Sequence, residues 1–184
     1  MSSIGKYLNH DLIAKDFTYS EWYHYKDVSK AANQFESVVY SIVYSVDKPT
    51  VPPNKFTDSP FIKIGTSSGK GFGMSDDSMS NKHRTKRRKT TTQPKDRWGD
   101  HKVIMNLGTE ANQIKKNIGN LRAAWSPVFE KYGFGPKLTR NIWVSFLIPN
   151  DSMNFRDSSM LCEWMEINSI NDHLQKFQGS APVA

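Results

Sequence analysis

The chain has 184 residues, 37% of them hydrophobic, and a formal charge of +7; that length suits one domain rather than two, and the apolar fraction, below the roughly 45–50% of average globular chains, leaves part of it outside a core. The single cysteine, Cys162, excludes an internal disulfide and the cysteine-rich zinc spacings. The charge is local: eight Lys and Arg residues and one acid lie between Lys82 and Arg97, leaving 17 of the 25 basic and 17 of the 18 acidic residues in a balanced remainder.

The first residues, MSSIGKYLNHDLIAKDF, carry no apolar run behind a basic start, so no signal peptide is expected. No stretch approaches the roughly 18 apolar residues of a spanning helix. The expectation is a soluble intracellular protein, present in nucleus and cytoplasm. FTYSEWYHY, from Phe17 to Tyr25, then packs five aromatics into nine residues. Phe17, Trp22 and Tyr25 are read as core cover; a base-stacking platform would need more neighbouring cations than His24 and Lys26.

Val28, Ala32, Phe35, Val39, Ile42 and Val46 recur at spacings of four and three, which predicts a helix from about Asp27 onward. A strand competes for the second half, because SVVYSIVYSV from Ser37 to Val46 is rich in β-branched and aromatic residues. Lys48-Pro49 and Pro52-Pro53 end any regular element. PFIKIGT, from Pro60 to Thr66, is expected to form one short strand.

From Gly65 to Trp98 the chain is polar and is read as a disordered arm, longer than a compact domain usually leaves without structure. Its GTSSGKG start invites a phosphate-loop reading. The spacing excludes it: three residues rather than four separate Gly65 from Gly69, and Gly71 rather than Ser or Thr follows Lys70. Asp76 and Asp77 pair two acids where nothing predicts a cleft, so they are read as solvated.

The basic run is the dominant signal. Lys82, Arg84, Lys86, Arg87, Arg88, Lys89, Lys95 and Arg97 form the candidate binding residues, with an unbroken Lys-Arg-Arg-Lys tetrad at their centre. Such a run neutralises phosphates without reading sequence, and no aromatic appears in it before Trp98, so base stacking is not expected there. The same residues suit an acidic groove on a nuclear import receptor, or an anionic membrane surface. Thr90 follows Arg87, Arg88 and Lys89 as a basophilic-kinase site, where phosphate would subtract about two units of charge.

HKVIMNLG, from His101 to Gly108, is expected to be a strand. Thr109 would cap a helix carrying Ile114, Ile118, Leu121 and Trp125, and Ser126 a short one carrying Val128, Phe129 and Tyr132, which GFGP ends. LTRNIWVSFLIP, from Leu138 to Pro149, has the clearest strand pattern, apolar on both faces and therefore central or covered on both sides. A last helix is predicted from Ser159 to about Phe177, with Met160, Trp164, Ile167, Asn171 and Leu174 on one stripe and Ile170 and Phe177 beside it.

These elements predict an α+β fold: one compact domain of about three or more helices and a few strands, interrupted by a long disordered basic arm. Residues 1–64 and 99–178 would form its two parts, 65–98 the arm and 179–184 a loose tail. No metal or cofactor is expected, since His10, His24, His83, His101 and His173 are scattered and Cys162 has no adjacent cation. The functional expectation is a non-enzymatic polyanion-binding protein that holds RNA or DNA through phosphates, with the arm doubling as a nuclear localisation signal. Two other classes compete: a viral-type structural protein, matrix or coat, that self-associates and bridges nucleic acid or anionic membrane; and an adaptor or inhibitor acting on a protein partner.

Overall fold

A computed structural model describes residues 17–35, 37–67, 94–108 and 125–150, together with 162, 165–171, 173 and 177. The described part is α+β. Its elements are β1 (Phe17–Tyr19), β2 (Tyr23–His24), α1 (Val28–Ala32), β3 (Val38–Tyr44), a 3-10 turn (Pro53–Lys55), β4 (Phe61–Ser67), α2 (Pro94–Leu107), α3 (Ser126–Tyr132), α4 (Pro136–Thr139) and β5 (Ile142–Pro149). Residues 165–171 are helical as well and belong to a C-terminal helix.

The strands form one antiparallel sheet in the order β1-β5-β3-β4, with β2 pairing β5 beyond β1. β5 is central, as its two apolar faces predict. Ile142, Val144 and Phe146 join the core under the helices, and Leu147 joins a smaller core on the opposite face. β1 and β2 line the same edge of β5, and Ser20 bridges the gap between them: its Oγ accepts from the Phe146 amide at 2.9 Å and its carbonyl accepts from Ser145 Oγ at 3.1 Å. The aromatic stretch thus becomes two short strands, with Phe17 and Trp22 buried and Tyr25 packed against the larger core.

β3 corrects the helix expected from Asp27 onward. Only Val28–Ala32 is helical, and Val38–Tyr44 pairs with β4 on one side and β5 on the other. The physical reason is double-sided burial. Val38, Tyr40 and Ile42 face the larger core while Val39 faces the smaller one, and a segment that is apolar on both faces satisfies a helical stripe by coincidence. β-branched Val38, Val39, Ile42 and Val43 then decide for the extended form.

The strand expected over His101–Gly108 is also corrected: these residues finish α2, apart from Gly108, which takes φ +53° just past its end. Pro94 opens the helix and Asp96 sits in its first turn, both favourable there. Its buried residues Pro94, Trp98, His101 and Met105 keep spacings of four, three and four. Residues 65–67 and 94–98, read as arm, therefore lie in β4 and α2. Ser126 is the first helical residue of α3 rather than its cap, which is Trp125; the positive-φ Gly133 ends that helix, and Gly135, also at positive φ, precedes α4. The helix expected after Thr109 lies outside the described residues.

β4 carries a bulge where the register with β3 slips between Ile42 and Val43, so that Ile62 and Lys63 together occupy the place opposite Ile42. Further along, Tyr40 lies opposite Gly65, and its ring covers the glycine so closely that a Cβ built there would sit 2.6 Å from Tyr40 Cζ. An aromatic laid across a strand glycine recovers the packing that the glycine lacks. Gly99, within α2, has nothing within 4 Å of the equivalent position. Gly65→Ala is therefore expected to lower stability by about 1–3 kcal/mol through overpacking, and Gly99→Ala to raise it by about 0.4–1 kcal/mol. Urea denaturation midpoints of the two variants, moving in opposite directions, check this.

Candidate functional site

Of the candidate binding residues, Lys82, Arg84, Lys86, Arg87, Arg88 and Lys89, together with Thr90, lie outside the described residues. Lys95 and Arg97 lie in the first turn of α2. Lys95 is exposed, whereas Arg97 is half-buried with its Nε enclosed and without a hydrogen-bond partner among the described residues. The basic run therefore ends on a helix whose next residue, Trp98, is in the core at 4% exposure.

α2 is fixed to the sheet by a polar contact inside the larger core. His101 on α2 is 1% exposed, and its Nε2 lies 2.9 Å from Tyr40 Oη on β3, forming one hydrogen bond whose direction follows the imidazole tautomer. Trp98, Tyr40 and Trp125 rings surround it at centroid distances of 6.4, 5.4 and 5.6 Å. His101 Nδ1, Trp98 Nε1 and Trp125 Nε1 are enclosed without hydrogen-bond partners among the described residues. Lys63, 6% exposed, lies opposite Ile42 and so shares the Tyr40 face of the sheet.

The electrostatics follow from this crowding of donors. Burial, then the nearby charges of Lys63 and Arg97, hold His101 well below the usual histidine range. Burial raises Tyr40, with Arg97 opposing and Glu166 and Asp100 assisting. Burial lowers Lys63, partly offset by Glu166. Neutral imidazole is the form that this setting accepts, since a proton on Nδ1 would add a third cation with no acceptor.

A second polar pair sits on the other face. His173 is 4% exposed, its Nε2 lies 2.6 Å from Ser59 Oγ, and burial lowers its pKa. Beside it is a cavity between the sheet and the C-terminal helix. Neither histidine's role was visible in the sequence, because each is assembled from residues far apart in the chain: Tyr40 with His101, and Ser59 with His173. The one local signal was the four-and-three rhythm of Trp98, His101 and Met105. Among the described residues no group of His, Cys, Asp and Glu could hold a metal ion, and no helix is long and apolar enough to cross a membrane. Compared with protein-family models, curated proteins and solved structures, the chain has no match.

His101 sets an acid limit on stability. Its folded pKa lies below the unfolded value, so the unfolded chain binds the extra proton first, and stability falls as pH drops below about 6.5. The slope for one proton reaches about 1.4 kcal/mol per pH unit, and His173 adds to it with the same sign. Tyr40 acts in the alkaline range, where stability is lost as pH rises beyond about 10. In His101→Gln the acid slope is expected to be shallower by up to one proton, measured by urea titrations between pH 4 and 8.

Proposed function

We propose that this protein binds RNA or DNA through phosphates, without reading sequence, using the basic run from Lys82 to Arg97, and that the same run directs it to the nucleus. The observation that carries this is the charge distribution: eight cations against one acid in this run, and exact balance elsewhere. Counterion release then supplies the affinity.

The described aromatics support phosphate contact over base stacking. Trp22, Trp98 and Trp125 are buried, Tyr44 stacks on Tyr132 at 4.1 Å, and His24 and Trp143 pack edge to face at 5.1 Å. Rings engaged in this way offer no platform to bases. The fold's part is anchorage: Arg97 is followed directly by Trp98 in the core, so the run continues into a helix tied to the sheet by Tyr40 and His101. This reading is non-enzymatic and needs no cofactor.

Replacing Lys86, Arg87, Arg88 and Lys89 together with alanine is expected to weaken binding to duplex DNA at least tenfold at low salt. It should also flatten the slope of log affinity against log salt by up to about 3.6, or about 0.9 per lost phosphate contact. Filter binding at several salt concentrations, on single- and double-stranded RNA and DNA, measures both. Thr90→Glu should weaken binding in the same direction. Unchanged binding with lost nuclear accumulation would reduce the run to an address, and unchanged binding with intact accumulation would remove the reading altogether.

A further inference from the structure

On the sheet face opposite α2, a cavity of about 130 Å³ lies between β3, β4, β5 and the C-terminal helix. Val39, Ile64 and Leu147 line it from the sheet, with Phe61 and Phe177 at its sides. Both rings pack against His173, at centroid distances of 5.1 and 4.7 Å. This fixes the imidazole, and burial keeps it neutral. No charged side chain lines the cavity among the described residues.

Ser41 lines it too. This residue sits mid-strand in β3, between Ile64 of β4 and Ser145 of β5, and is 7% exposed. Ser145 spends its hydroxyl on the Ser20 carbonyl. Ser41 is thereby placed with its hydroxyl-bearing side chain on the cavity wall, deep in the sheet. Ser169, on the C-terminal helix, adds a second hydroxyl to the lining.

We propose that this cavity binds one small uncharged molecule of single-ring size that bears one hydroxyl, the class of which phenol is the simplest member. The size argument is direct: an apolar cavity of about 150 Å³ accepts benzene. The chemistry follows from the lining. Apolar walls receive the ring, Ser41 exchanges a hydrogen bond with the hydroxyl, and a charged molecule would lose its hydration with no counter-charge to replace it. This site is separate from the basic run and independent of polyanion binding.

The test uses the full chain, with phenol, benzene and benzoate as probes, read by thermal shift and by ligand-observed NMR. Phenol is expected to bind with a Kd of about 1 mM, as suits seven heavy atoms, and to raise Tm by roughly 3–6 °C at about ten times that concentration. Benzene should bind about fivefold more weakly, and benzoate not measurably. Ser41→Ala, which leaves the cavity open, should remove most of the fivefold preference for phenol over benzene. Ser169→Phe, which fills it, should abolish both without unfolding the chain, as judged by circular dichroism. Equal binding of phenol and benzene to the unaltered chain, binding of benzoate, or absence of any binding would overturn the proposal. Should Ser169→Phe fail to fold, the Ser41→Ala comparison decides alone.

Discussion

The pairing of β3 with β5 holds the rest of the structure in place. Six residue pairs, from Val39 opposite Leu147 to Tyr44 opposite Ile142, align two strands that are apolar on both faces. Because side chains alternate, one register commits every one of them to a face at once, and a slip by one residue would exchange the two cores. Ile42, Ile142 and Val144 then meet α1 and α2, while Val39 and Leu147 meet Cys162 and Met165. Each helix finds its position against a surface that this pairing has already fixed.

The larger core carries a polar cost that the smaller one largely lacks. Trp98, His101, Trp125 and Arg97 each leave a buried nitrogen without a partner among the described residues, and such an atom costs about 1–3 kcal/mol. Burial of Trp125, Ile104, Met105 and Leu138, all at 0% exposure, offsets this. The Tyr40–His101 hydrogen bond gives specificity within that apolar setting: the one angular placement of α2 that satisfies Tyr40 Oη is the one in which Trp98 and Met105 also face inward.

How much of this was legible depended on whether an element's neighbours were local. β5 and β4 read correctly because their alternation and proline or asparagine boundaries lie within the strand itself. β3 did not, because double-sided burial is decided by β4 and β5, and its apolar residues fit either period. α2 was missed, its start read as arm and its end as a strand, because Lys95, Asp96 and Arg97 share a composition with the run before them, while their helical partners Trp98, His101 and Met105 come later. The basic run was legible as charge alone, since charge needs no fold to be counted. The Ser59–His173 pair, 114 residues apart, and the cavity beside it exist only once the C-terminal helix meets the sheet.

The end of β4 and the start of α2 have a joint consequence for how the chain can change over generations. Ser67 is 3% exposed and Pro94 is buried, so residues 67 and 94 are both held within the folded part. The number and spacing of cations between these two anchors can therefore change while the contacts that hold β4 and α2 in the fold stay as they are, so charge and fold can be selected separately.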